Sequence, residues 1–312
     1  MKNKYHQIKV IVCGEKWVAQ QCLEFLYQHP QTEIGMIVTS QQDWQANLID
    51  WGTKRQINVL IGNINDYLNK IAAYQPDFIF SIQSRSLLKK PLLQIPQRCI
   101  NLHFGLLPRY GGCYPITWAI LNGEPQAGVT LHEMNEKFDE GQILAQTAVP
   151  LNETTTAREL FDSLSLKGIE LFRQSYLAIC EGSAKSYPQD LAQKLYYSQT
   201  SLNFEQDKII KWHKTALEIQ RQICAFSFPP FQFPISYLQG MTNQLLPVTI
   251  TQTQRHKHNE NLSPGTIKII DKKMIVGTGN DEVIQIGLLN GQKPLIFLNS
   301  LGYSLTALKF VN

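Results

Sequence analysis

Asn101 and His103 stand two residues apart in "CINLHFGLLPRYGGCYP" (99–115), at the exit of an apolar run and just ahead of a loop rich in Gly and Pro. Side chains alternate along a strand, so positions 101 and 103 share one face while Ile100 and Leu102 take the other. An asparagine amide donates hydrogen bonds and does not titrate, whereas an imidazole gives or takes a proton near neutral pH. The two suit acyl transfer, in which the amide meets a developing oxyanion while the imidazole moves a proton. Taken alone, an N-x-H at a strand end is an ordinary polar terminus, and a D-x-G such as Asp139–Gly141 is an ordinary turn. The surrounding elements decide whether they mean more.

Those elements read as alternating strands and helices. Strands are predicted at 8–14, 33–40, 77–82 and 99–103, with a helix at 15–29 whose Val18, Cys22, Phe25 and Leu26 share a face. The pattern predicts an α/β fold with a mostly parallel, Rossmann-like sheet, whose ligands bind beyond the carboxyl ends of the strands. Asn101 and His103 fall at such an end. The first strand-to-helix turn, "CGEKWVAQ", has a single glycine, so neither G-x-G-x-x-G nor G-x-x-x-x-G-K-[ST] is present. Dinucleotide-dependent redox chemistry and P-loop phosphoryl transfer lose their main support.

Residues 128–134 and 142–151 read as a hairpin joined by "NEKFDEG" (135–141), and 154–180 as a long helix with a Thr156/Glu159 capping box. Residues 182–203 read as loop, and 204–226 as a helix with Ile209, Trp212, Ala216, Ile219 and Ile223 on one stripe. From about 245 short strands and polar turns predict a small β-barrel-like domain. The expected organisation is a catalytic domain over 1–203, a helical linker over 204–244 and a β domain over 245–312.

A net charge of +4, 43% hydrophobic and 17% charged residues describe an ordinary globular chain. No apolar run approaches the roughly 18–20 residues of a membrane span, and the N-terminus does not read as a signal peptide. Six scattered cysteines without CxxC spacing argue against structural zinc and for a reducing, cytoplasmic setting. No metal site is expected. His132, within the strand at 128–134, is expected on the sheet surface, and Met134 in packing.

With their flanks, the motifs become specific. "NLHFGLLPRYGGCYPITWAILNGE", "GVTLHEM" and "FDEGQILAQ" closely resemble the formyltransferases that use N10-formyltetrahydrofolate, most strongly over residues 77–150. The strand-rich end resembles the C-terminal domain of the longer members. The resemblance implies catalytic roles for Asn101, His103 and Asp139: an oxyanion donor, a proton relay and the carboxylate that orients the imidazole. In the D-x-G loop it implies that Asp139 faces the cleft and Glu140 faces solvent. It also implies a folate pocket that includes Gln83, Arg85, Leu87, Leu88, Leu106 and Pro108, and an acceptor site near Tyr110 and Tyr114. This chain departs from the common P-x-Y-R-G pattern, with Gly111 where relatives carry arginine.

Three acceptors fit such a family. Glycinamide ribonucleotide transformylases lack a C-terminal extension of this size. Methionyl-tRNA formyltransferases carry a basic insertion after the second strand, whereas residues 39–56 here hold Asp43, Asp50, Lys54 and Arg55, which cancel. Residues 245–312 carry seven Lys/Arg and four Asp/Glu, a thin footprint for a polyanion. The expectation is therefore a small-molecule amino-sugar nucleotide in polysaccharide biosynthesis, with no nucleic-acid or membrane partner and with a homodimer left open. Methionyl-tRNA formylation is the alternative, and a non-catalytic folate- or nucleotide-binding module the alternative of another class.

Overall fold

Strand β1 (Ile8–Gly14) is buried along its last five residues and strand β4 (Phe78–Ile82) along all five. Apolar runs without alternation belong in a sheet covered on both faces, as crossover helices require. A computed structural model of the chain describes residues 7–40, 46–84, 86–240, 244–256, 261–301 and 308–311. From β1 the chain passes through α1 (Lys16–Gln28) to β2 (Thr32–Thr39), then through α2 (Leu48–Lys54) to β3 (Asn58–Ile61). It returns through α3 (Leu68–Tyr74) to β4, and through α4 (Lys90–Leu93) to β5 (Arg98–His103). After β6 (Gly111–Gly112) and α5 (Pro115–Leu121), strands β7 (Gln126–Glu133) and β8 (Ile143–Pro150) follow.

The resulting seven-stranded sheet has the order β3-β2-β1-β4-β5-β7-β8. Strands β1 to β5 pair in parallel, and β5 meets β7 antiparallel. The sheet is mostly parallel, as the sequence predicts, and its order reverses between β1 and β4. Ile11, Val38, Ile71, Ile79 and Leu92 form the core on one face. Elsewhere Phe80 of β4 meets Phe172 of α6 (Ala157–Cys180) edge-on at 5.1 Å. The predicted capping box starts α6: the Glu159 carboxylate accepts from the Thr156 N–H and hydroxyl, both at 2.9 Å. Elements α2, β3 and α3 are absent from the sequence reading because four to seven residues are too few to show a period.

The helix predicted over 204–226 is broken. It forms α7 (Phe204–Asp207) and α8 (Ala216–Phe226), with β9 (Tyr196–Tyr197) preceding both. Thr215 caps α8 in a box with Glu218, and the Gln222 amide donates to the Asp207 and Ile209 carbonyls at 2.7 and 2.8 Å. The unwound backbone is thus satisfied without a helix. Trp212 is still core, donating to Ser236 at 2.9 Å and stacking on Phe310 at 4.9 Å.

The second sheet runs through β10 (Ile235–Gln239), β11 (Leu245–His256), β12 (Ile267–Ile270), β13 (Lys273–Gly277) and β14 (Val283–Leu289). Helix α9 (Pro294–Ser300) then precedes β15 (Lys309–Val311). Its order is β12-β13-β14-β11-β10-β15, antiparallel throughout, and register shifts around Gln252 bend β11 and curl the sheet. The chain forms two compact units, discontinuous in sequence. One is Met1–Pro115, Ala127–Val149 and Ser163–Tyr197, and the other is Ile116–Gln126, Pro150–Asp162 and Ser198–Asn312.

Candidate active site

Register builds the site. On the antiparallel β5/β7 pair Asn101 lies opposite His132 and His103 opposite Thr130. Directly opposed residues share a face, so four polar side chains meet beside the end of β5. His103 is 7% exposed, His132 2% and Thr130 0%. His132 is therefore not a sheet-surface residue, contrary to the sequence expectation. Its Nε2 lies 3.2 Å from Asn101 Nδ2, and its ring stands nearly perpendicular to that of His103 at 6.3 Å. Met134 packs against the core, as predicted.

The carboxylate comes from the connection between β7 and β8. Asp139 Oδ2 is 3.7 Å from His103 Nδ1, and Oδ1 is 3.4 Å from His132 Nε2. Oδ2 also accepts the Gly112 N–H at 2.7 Å. Burial alone would push this carboxyl up. In their charged form the facing His103 and His132 imidazoles, together with the Gly112 N–H, outweigh it and hold Asp139 well below the usual carboxylate range. Gly141 is obligatory beside it, because a Cβ there would overlap the Glu133 carbonyl oxygen. Glu140 does not project into solvent as expected. It pairs with Lys194 at 2.5 Å and Lys137 at 3.4 Å, and its side chain is 13% exposed.

Hydrogen-bond partners assign the tautomers of the neutral imidazoles. His103 Nε2 lies 2.7 Å from the Tyr110 carbonyl, which can only accept, so Nε2 carries the proton and Nδ1 faces Asp139. Tyr110 has φ of 60°, a left-handed backbone that turns its carbonyl to the imidazole. A Cβ at position 105 would come within 2.6 Å of that carbonyl oxygen and 2.7 Å of His103 Nε2, so only glycine fits there. His132 Nδ1 lies 2.8 Å from the Glu133 carbonyl, which leaves Nε2 to accept from Asn101. One Asn101 N–H is thereby engaged and the amide is oriented, with its second N–H left to serve as a donor.

Thr130 and Gln146, which lie within the sequence motifs but carry no role there, hold the loop after β5. The Thr130 hydroxyl donates to the Gly105 carbonyl at 2.6 Å, and Gln146 donates to Thr130 Oγ1 at 2.9 Å and to the Leu107 carbonyl at 2.8 Å. The only available signal for Thr130 and His132 was their i, i+2 spacing on a strand. That spacing gains meaning once β7 is known to pair with β5.

The remaining expected residues divide. Gln83 follows β4 at the switch point of the sheet, with φ of 55°, and its Oε1 is buried with no hydrogen-bond partner among the described residues. Leu87 is 37% exposed, but Leu88 is 1% exposed and belongs to the core with Ile11 and Ile79, so its side chain packs rather than lines a pocket. Arg85 lies outside the described residues, as does Asp43. Leu106 and Pro108 are half-buried on the loop after β5, and Tyr114 is half-buried with φ of 58°. Tyr110 is corrected: its ring is 5% exposed and stacks on Tyr197 at 6.2 Å, so its carbonyl, not its ring, serves the site. Burial pushes the nearby Cys13 thiol up to about 11, which disfavours a thiolate nucleophile at this end of the sheet.

An amide, two imidazoles and a carboxylate at the carboxyl edge of a mostly parallel sheet make an α/β protein with an acyl-transfer type of site. The chain belongs to the formyl transferase family, whose profile matches residues 7–175 and whose C-terminal domain profile matches residues 204–299. It is 35% identical over 187 residues to the methionyl-tRNA formyltransferase of Coxiella burnetii, a match covering 60% of this chain and 56% of that enzyme. The chain thus spans little more than half the length of that relative. It is 31% identical over 241 residues to the Staphylococcus aureus methionyl-tRNA formyltransferase, covering 76% of this chain and 74% of that enzyme. Among solved structures, the N-formyltransferase of Helicobacter canadensis, in complex with folinic acid and dTDP-3-aminofucose, has a TM-score of 0.70 and 23% identity, over 90% of this chain and 99% of its own. A sugar 3N-formyl transferase solved with dTDP and 5-N-formyl-THF also has a TM-score of 0.70, at 24% identity over 90% of this chain and 97% of its own. Both show the same fold.

Proposed function

We propose that this protein transfers a formyl group from N10-formyltetrahydrofolate to the amine of a nucleotide-linked amino sugar. The observation that carries the reading is the cluster of Asn101, His103 and His132 on one face of β5 and β7 with Asp139 from the connection after β7. The buried Gln83 Oε1, unpartnered among the described residues, suits a pterin, whose ring N–H groups need acceptors. Bound there, N10-formyltetrahydrofolate supplies the activated formyl group. Leu106, Pro108 and the exposed Leu87 would border it.

The chain's own groups then act on the attacking amine. Asn101, oriented by His132, donates its second N–H to the oxyanion that develops as the amine nitrogen bonds to the formyl carbon. The amine proton leaves towards the Asp139–His103 pair. Nδ1 of His103 can hold it 3.7 Å from the Asp139 carboxylate while Nε2–H stays on the Tyr110 carbonyl. The C–N bond to the donor breaks as that proton is passed to the departing nitrogen, which yields the formamide and tetrahydrofolate.

The sugar-nucleotide acceptor draws support from the span of the fold likeness, which takes in nearly the whole length of the two sugar N-formyltransferases. It also draws support from charge. Arg55, one of two cations in the 39–56 segment, is tied to Glu24 at 3.0 Å and lies 4.2 Å over the Trp51 ring. All six cysteines are free thiols, which suits a reducing compartment such as the cytoplasm. The second reading, methionyl-tRNA, rests on the 31–35% identity to enzymes of that name. The test is to incubate the protein with N10-formyltetrahydrofolate and a panel of amino-sugar nucleotides or methionyl-tRNA, and to measure kcat/KM and the mass of one added formyl group. A sugar nucleotide should win by at least an order of magnitude. The reverse result overturns the acceptor, and no transfer to any amine overturns the activity.

A further inference from the structure

Gln189 lies between α6 and β9, in a stretch that reads as plain loop. Its Nε2 donates to the carbonyls of both Asp139 and Gly141, each at 2.7 Å. Asp139 has φ of 53°, a left-handed backbone. Turned this way, the two carbonyls flanking Glu140 converge on one amide nitrogen.

The same stretch reaches the two loops that flank His103. Tyr187 exchanges two backbone hydrogen bonds with Ile143 at the start of β8, and Lys194 pairs with Glu140. The Leu195 N–H donates to the Pro108 carbonyl at 3.2 Å, and its carbonyl accepts the Gly111 N–H at 2.9 Å. The Cys113 N–H donates to the Tyr197 carbonyl at 2.7 Å. Residues 187–197 therefore strap the Asp139 loop to the loop that presents the Tyr110 carbonyl and the Gly112 N–H.

We infer that Gln189 is a positioning residue which, through the Asp139 and Gly141 carbonyls, aims the Asp139 carboxylate at His103 and His132. The catalytic meaning of that aim rests on the formyl-transfer reading above. The chemistry is specific to a donor. Both targets are carbonyls that only accept, so the isosteric change Gln189→Glu would set a carboxylate against two carbonyl oxygens and close to Asp139 itself.

The test uses the full chain with Gln189→Met and Gln189→Glu, and Asp139→Asn as the reference. Carboxyl-carbon NMR follows the Asp139 resonance, identified by its loss in Asp139→Asn, as pH is lowered. In Gln189→Met it should begin to protonate at higher pH than in wild type, because the contacts to His103, His132 and Gly112 loosen. In turnover of the amine preferred in the acceptor comparison, kcat should fall roughly ten- to a hundredfold, as a displacement of about 1 Å does, with KM unchanged. Gln189→Glu should lose more. If it fails to fold, Gln189→Met carries the test. A lower Tm with Asp139 titration and kcat as in wild type overturns the inference. Wild-type turnover by Asp139→Asn would instead overturn the functional reading, while the NMR titration still decides whether Gln189 aims the carboxylate.

Discussion

At the scale of single residues, one carboxylate serves two imidazoles. Asp139 faces His103 and His132 at 3.7 and 3.4 Å, and Asn101 reaches the second imidazole at 3.2 Å. Four groups that share contacts should fail together. Asn101→Ala is expected to cost roughly 10²–10³ in kcat, the usual loss for one oxyanion donor. His103→Ala and Asp139→Ala should be comparable or worse, and the double variants far less than additive, as steady-state kinetics on folded protein would show. His132→Ala belongs to the same set, because it releases the Asn101 amide. Asp139→Asn should cripple turnover, while Glu140→Gln, which loses only ion pairs with Lys137 and Lys194, should leave kcat within about twofold. The sign of the pH dependence follows from the lowered Asp139 carboxyl. Its stabilisation is present above the unfolded carboxylate value of about 3.9 and is lost as pH falls towards the lower folded value. Asp139→Asn should therefore flatten acid unfolding below about pH 4. Since Asp139 stays ionised above that range, the acid limb of kcat/KM should come from groups other than Asp139, the acceptor amine among them, which attacks only when unprotonated.

At the scale of elements, the loop after β5 does as much as the strand. Its Gly105 lets the Tyr110 carbonyl reach His103, and Thr130 and Gln146 hold it from β7 and β8. Gly105→Ala should push that carbonyl away and free the imidazole to rotate. Overpacking of this kind costs about 1–3 kcal/mol, so melting should show a lower Tm. Kinetics should show kcat falling by more than the folded fraction does, with both KM values little changed. A variant that loses Tm alone would mean that the Tyr110 carbonyl does not orient His103 for the reaction.

At the scale of the molecule, Trp212, Ile219 and Ile223, which precede residue 240, share one core with Val248, Ile284 and Phe310, which follow it. Strand β10 likewise pairs with β11 and β15. A chain cut after residue 240 leaves one side of that core, including the 2% exposed Trp212, with nothing to cover it. Such a truncation should aggregate, or lose one cooperative unfolding transition by calorimetry. A monomeric, fully cooperative product would show that the second unit does not need its later strands. Acceptor choice belongs to this scale too. A polynucleotide acceptor would show an affinity falling steeply with salt, and a sugar nucleotide, with few charges, a shallow slope.

The sequence alone determined the strands at 8–14, 77–82 and 99–103, the helix that Thr156 caps and that runs to Cys180, and the pairing of Asn101 with His103 on one face. Each is a local property: an unbroken apolar run, a cap at fixed spacing, or a two-residue alternation. What lay beyond local reach was decided by tertiary contacts. His132 joins the site because β7 runs antiparallel to β5 with Asn101 opposite it, and no period within 128–134 encodes that register. Tyr110 turns its carbonyl inward and stacks its ring on Tyr197, 87 positions away. The amphipathic stripe over 204–226 kept Trp212 in the core but not in a helix, because Thr215 starts α8 afresh and Gln222 satisfies the backbone between. Gln189 is a loop glutamine in the sequence, and only the fold brings it beneath two carbonyls 48 and 50 residues earlier. Hydrophobic periodicity is read along the chain, whereas partners for buried polar groups are found across it.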